Sequence, residues 1–86
     1  MWYIYIVRCA DTTLYTGVTT DITRRLREHN GEVKNGAGYT KVRRPVVLVY
    51  AETTDTRSTA MKRERAIKSL TKQKKEILIS AHSPQP

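Results

Sequence analysis

Cysteine, acidic residues and long apolar runs are all scarce in this chain, and each scarcity excludes something. Cys9 is the single cysteine among 86 residues. One cysteine makes no internal disulfide and falls short of a thiolate zinc site, so Cys9 reads as a small buried hydrophobe. The opening apolar stretch Trp2-Tyr3-Ile4-Tyr5-Ile6-Val7 stops at Arg8. That is too short for a signal peptide's apolar region followed by a cleavage site, and no run approaches the roughly 20 residues of a membrane span. There is no long basic amphipathic helix with a bulky apolar face either, which argues against a membrane surface. The expected location is the cytoplasm. The chain has no internal repeat and no low-complexity block, and no asparagine follows Asn35.

What is present is cationic. Sixteen Lys+Arg stand against 8 Asp+Glu, for a net charge of +8 and a pI near 10.0. A basic domain of this kind most often meets a polyanion, with nucleic acid the leading partner; the alternative is a solvated basic surface serving solubility alone. Hydrophobic residues make up 38%, too many for a disordered chain. A chain this short buries only about 60% of the surface its unfolded form exposes, so one small core is expected. The domain reading is residues 1–80, with a loose tail over 81–86.

Residues 2–9, rich in β-branched and aromatic types, read as a strand. Asp11-Thr12-Thr13 is a turn cluster, and Leu14 to Val18 returns as the second strand of a hairpin. Asp21 reads as an N-cap for a helix from Ile22 to Asn30, which Gly31 ends. Ile22, Leu26 and His29 share a face of that helix, with Arg25 beside it. Glu32 to Arg44 reads as a loop. Pro45 suits the start of a strand, and the continuous apolar run Val46 to Ala51 suggests a third strand buried on both faces. A second helix begins at Asp55 or Thr56 and reaches about Ser69; Thr71 caps a third, ending near Ser80. This is an α+β order, β-β-α-β-α-α, expected to form a small three-stranded antiparallel sheet flanked by three helices.

The second helix carries an anomaly. Ala60, Glu64 and Ile67 fall within about 60° on a helical wheel, so Glu64 projects with the apolar residues while Arg63, Arg65 and Lys68 flank it. Burying a carboxylate is costly unless it is paired or holds a cation. Glu64 is therefore either paired with a base such as Lys68 at i,i+4 or a metal ligand.

Taken together, Tyr3-Ile4-Tyr5, Tyr15-Thr16-Gly17, Arg25, His29 and Glu64 resemble the motif series of the GIY-YIG nuclease family, in particular its small single-domain bacterial members of the UPF0213 type. The resemblance runs from Trp2 to about Ile79. Tyr3 stands where the family name has glycine, and Thr16 where it has isoleucine; both changes leave the tyrosines in place. Several family members use an asparagine after the glutamate, for which Lys72 or Gln73 would have to substitute. The resemblance implies an endonuclease that hydrolyses phosphodiester bonds in DNA, leaning to single-stranded or structured DNA; the oligomeric state stays open, with a monomer favoured. Glu64 would be the one protein ligand of a single Mg²⁺, with Mn²⁺ accepted; Asp11, Asp21 and Asp55 are taken up by turns and caps. Arg25 would hold the scissile phosphate, and His29 would shuttle a proton or fix a tyrosine hydroxyl. Tyr5 and Tyr15 would both enter the site, one of them as general base, without the sequence deciding which.

Opposed residues in an antiparallel hairpin share a face. Two tyrosines in one site therefore require registers of like parity, and so an odd-length loop such as Asp11-Thr12-Thr13, or a bulge. Tyr39, Lys41, Arg43, Arg44, Arg57, Lys62, Arg65, Lys68, Lys72, Lys74 and Lys75 are the candidates to follow a nucleic-acid backbone, Tyr39 by stacking on a base. Tyr3, Tyr39 and Tyr50 read as core aromatics, with stacking on a base the alternative for Tyr39 in its basic loop. The alternatives are a non-catalytic nucleic-acid-binding module on the same scaffold and a small basic protein of a ribonucleoprotein.

Overall fold

The computed structural model describes residues 1–32 and 38–82. Strands β1 (Trp2–Arg8) and β2 (Leu14–Thr19) are followed by helix α1 (Ile22–His29) and a single helical turn, α2 (Gly38–Lys41). Strand β3 (Val47–Thr54) and helices α3 (Arg57–Lys68) and α4 (Lys72–His82) complete the chain. The three strands form one antiparallel sheet in the order β2-β1-β3. The expected α+β architecture is present, with one addition: α2 lies inside the stretch read as loop. Helix α4 runs two residues past the expected boundary at 80. The remaining tail, 83–86, and the loop residues Asn35 and Gly36 lie outside the described residues.

The apolar strand is β1, where Ile4, Tyr5, Ile6 and Val7 are all at most 2% exposed. As the central strand it has a helix layer on each face. Tyr5, Val7 and Cys9 pack with Ile22 and Leu26 of α1, while Ile4 and Ile6 pack with Ala60 and Ile67 of α3 and Leu78 and Ile79 of α4. Cys9 is free and buried, as its isolation implied. Burial of β3 on both faces is overturned: Val47 is 61% exposed, because β3 is an edge strand. Val46 is buried but precedes the strand, its amide donating to Asn30 Oδ1 at 2.7 Å. A bulge falls where Ile6 pairs with Tyr50 but Val7 pairs with Leu48. It brings Leu48 onto the Tyr5 side and leaves Tyr50 on the Ile6 side.

Local signals set the turns and caps. In the hairpin, Thr12 N–H donates to Cys9 C=O and Cys9 N–H to Thr13 C=O, both at 2.9 Å, and Thr12 has φ 70°. This is a three-residue loop, a tight turn followed by one left-handed residue. Asp21 caps α1 by accepting from Arg24 N–H, and Gly31, at φ 81°, follows its end. Thr56 rather than Asp55 caps α3. Thr71 accepts from Lys74 N–H at the start of α4.

Candidate active site

The odd-length loop sets the register on which the site depends. Tyr5 pairs with Gly17 and Val7 with Tyr15, so both tyrosines lie on the α1 face of the sheet. Gly17 is required by this arrangement. A Cβ there would lie 2.6 Å from the Tyr5 hydroxyl and 2.8 Å from Cζ, so the Tyr5 ring occupies the space a side chain would fill.

Helix α1 delivers the basic partners one turn apart. Tyr5 Oη and His29 Nε2 share a hydrogen bond of 2.8 Å, and the rings meet edge-on at 5.8 Å. His29 is fully buried, and its Nδ1 lies 2.7 Å from Thr40 Oγ1 on α2. Tyr15 packs edge-on against the same imidazole at 5.2 Å. Arg25 acts on the Tyr5 hydroxyl, favouring its ionised form, and donates Nη1 to Glu28 Oε1 at 2.6 Å. Glu28 also accepts from Arg24 and is 8% exposed. Its hydrogen bond to Arg25, above all, holds its carboxyl below the usual range.

The electrostatics follow from burial. Burial pushes the Tyr5 phenol up to about 12, against the opposing pull of Arg25. Burial takes His29 down to about 4, assisted by the charges of Arg25 and Arg44, so the imidazole is neutral at pH 7. Glu64 approaches from α3, which packs against the edge strand β2, and its charge also acts on Tyr5, in the raising direction. The Glu64 side chain is 15% exposed and meets Lys68 Nζ at 3.3 Å. The paired-carboxylate reading is thus realised in the free protein, beside a phenol whose charge it touches.

The candidate nucleic-acid residues divide by position. Tyr39, 40% exposed, tilts against Tyr15 at 5.6 Å, and the Arg43 guanidinium lies 4.1 Å over its ring. Arg43 is steadied by Asp11 at the hairpin tip. Lys41 is exposed beside this pair, and Arg57, Lys62 and Arg65 are exposed on α3, with Lys68 tied to Glu64. Arg44 is occupied within the fold: its Nε donates to the His29 carbonyl at 2.7 Å and its guanidinium covers Gly31. Lys72, Lys74 and Lys75 sit on α4, which packs against β3 at the opposite sheet edge from Tyr15. Tyr50 is buried and donates to Glu52, which also accepts from Arg63. Sequence reasoning missed Thr40 and Glu28. The spacing of Glu28 from Arg24 and Arg25 was a usable signal; Thr40 had none, since its helical turn lies in a stretch without periodicity.

Two tyrosines, an arginine and a histidine around one hydroxyl, with a glutamate from the next helix, match a known pattern. The family model described as the GIY-YIG catalytic domain matches residues 1–76. The chain belongs to the GIY-YIG family. That superfamily is one of nucleases, which implies a nucleic-acid substrate. The chain is 59% identical over 80 residues to a UPF0213 protein of Desulfotalea psychrophila, covering 93% of this chain and 72% of the relative. It is 56% identical over 78 residues to one of Staphylococcus saprophyticus, covering 91% and 93%. Among solved structures, the solution structure of a UPF0213 protein from Bacillus halodurans superposes with a TM-score of 0.61 at 40% identity, covering 96% of this chain and 87% of that one. A solution structure from E. faecalis gives 0.60 at 40% identity, covering 98% and 88%. Among the described residues, no helix is long and apolar enough to cross a membrane.

Proposed function

We propose that this GIY-YIG domain is a divalent-metal-dependent endonuclease that hydrolyses phosphodiester bonds in DNA, with single-stranded or structured DNA as its substrate. The observation that carries the reading is the convergence on the Tyr5 hydroxyl: His29 hydrogen-bonds it, and the charges of Arg25 and Glu64 reach it.

The donor set fits one hard cation. Glu64 is a partly shielded carboxylate paired with the exposed Lys68, and among the described residues no group of three or more His, Cys, Asp or Glu side chains could hold a metal. One carboxylate plus waters and a substrate phosphate suits Mg²⁺, and also Mn²⁺, better than an all-protein cage would. Such a cation, when bound, supplies charge neutralisation on the phosphate and at the leaving oxygen.

The protein's own groups do the rest. Arg25, 25% exposed in its side chain and paired with Glu28, presents its guanidinium to the phosphate as charge develops there. Tyr5 receives a proton from the attacking water as it passes its own to His29 Nε2. The water oxygen bonds to phosphorus, the bond from phosphorus to the leaving oxygen breaks, and that oxygen takes a proton from solvent. Magnitudes favour coupling these transfers. Ionising a phenol at about 12 at pH 7 costs about 7 kcal/mol, so a free phenolate is avoided when both protons move together. Tyr15 holds His29 from the other side through ring contact. The exposed Tyr39–Arg43 stack offers an unpaired base a surface, which favours substrates with splayed bases.

Labelled single-stranded, duplex and branched DNA, each with Mg²⁺, Mn²⁺ or chelator, tests the reading. Cleavage is expected with either metal and not with chelator, and is lost in Glu64→Ala. Cleavage that survives both chelation and that substitution would sink it. A second reading, a nucleic-acid-binding module without cleavage, draws on the neutralisation of both site charges in the free protein, Arg25 by Glu28 and Glu64 by Lys68. It predicts salt-sensitive binding with intact strands under every metal.

A further inference from the structure

Tyr5, His29 and Thr40 form a hydrogen-bonded chain from three separate elements, with each residue at most 2% exposed. Its direction is constrained. A guanidinium only donates, so the neighbouring Arg25 offers the Tyr5 phenol hydrogen no acceptor. The phenol hydrogen needs an acceptor of its own, because buried donors in folded proteins are paired. Among the described residues, the acceptor at hydrogen-bond distance is His29 Nε2, at 2.8 Å. His29 lies between the cations Arg25 and Arg44, which disfavour a second ring proton. A neutral imidazole with a bare Nε2 carries its hydrogen on Nδ1. Nδ1 faces Thr40 Oγ1 at 2.7 Å, so Thr40 accepts.

We propose that Thr40 is a positioning residue for the Tyr5 site: by accepting from Nδ1 it holds His29 in the Nδ1–H tautomer and keeps Nε2 open toward the Tyr5 proton. The catalytic consequence rests on the nuclease reading; the tautomer does not. When Tyr5 gives its hydrogen to Nε2, both ring nitrogens carry one, and the new positive charge is shared with the Thr40 oxygen through Nδ1–H. In the opposite tautomer, Nε2–H points at Tyr5 and closes that route. The single turn α2 thus has a task on each side, with Tyr39 outward beside Tyr15 and Thr40 inward beneath His29. Thr40 also makes a further contact, so serine, which keeps the hydroxyl, is the control.

Nitrogen-15 NMR of the imidazole at pH 7, on the full chain, reads the tautomer without any substrate. The wild-type protein is expected to give a pyrrole-like Nδ1 and a pyridine-like Nε2. In Thr40→Val the two signals should move toward each other or exchange roles, and Thr40→Ser should restore them. In cleavage assays Thr40→Val should lose about 10- to 100-fold in kcat with KM little changed, and Thr40→Ser should keep most of the rate. A pyridine-like Nδ1 in the wild-type protein overturns the proposal, and this holds even if Thr40→Val does not fold. So do wild-type signals or a wild-type kcat in folded Thr40→Val. If the wild-type protein does not cleave, the nuclease reading fails alone, and the NMR outcome still decides the tautomer.

Discussion

At the scale of single residues, the site depends on close approach and on a neutral histidine. Gly17 has no side chain because the Tyr5 ring lies over it, with the hydroxyl 2.6 Å from where a Cβ would be. Gly17→Ala should force Tyr5 aside and cost about 1–3 kcal/mol of stability, measured by urea unfolding; an unchanged midpoint would contradict the Tyr5 placement. His29 makes stability depend on pH. Its folded value, about 4, is below its ordinary 6.5, so between these values the unfolded chain binds the extra proton. Stability therefore rises with pH across this window and is lost as pH falls from 6.5 toward 4, by about 3 kcal/mol at most. The lowered carboxyls of Asp11, Glu28 and Glu76 act in the same direction, below their own ordinary values. A series of urea midpoints should slope through pH 5–6 in the wild-type protein and flatten in His29→Gln. The tyrosine, arginine and histidine positions came from the resemblance to the GIY-YIG motif series. Thr40 was not legible, because a lone threonine in an aperiodic stretch carries no signal of what folds over it.

At the scale of elements, the hairpin loop decides whether the two tyrosines can meet. Its three residues, Ala10-Asp11-Thr12, give Tyr5 and Tyr15 registers of like parity, which meets the condition that a shared site imposes on the hairpin. The cost lies at Thr12, a β-branched residue at φ 70°, a conformation that penalises any Cβ. Thr12→Gly should relieve it and raise unfolding stability by about 1 kcal/mol without altering the register; lower stability would mean that the Thr12 side chain contributes more than its backbone costs. The error over β3 has an equally local cause. Val46 to Ala51 and Trp2 to Val7 are similar apolar runs, and which one takes the centre of the sheet depends on pairing order rather than composition. The bulge at Val49 then breaks the simple alternation that a strand reading assumes.

At the scale of the whole molecule, a net charge of +8 sets affinity for a polyanion before any specific contact forms. Binding to a DNA oligonucleotide should weaken steeply with salt. Arg57→Gln, Lys62→Gln and Arg65→Gln should each reduce the slope of log K against log salt by about 1 if their exposed cations meet phosphates. Arg44→Gln should instead lower stability and leave the slope nearly unchanged, because that guanidinium is committed to the His29 carbonyl. Equal slopes for all four variants would show that the charge acts only as a diffuse field. The sequence by itself determined the α+β class, the caps at Asp21 and Thr71 and the cationic character, because these depend on neighbours along the chain. Only the tertiary structure decided that β1 is the buried strand, that Arg44 is committed to the His29 carbonyl, and that His29 lies neutral between Tyr5 and Thr40. Those outcomes depend on which distant groups exclude water from one another, and burial of that kind is set by three-dimensional packing rather than by sequence spacing.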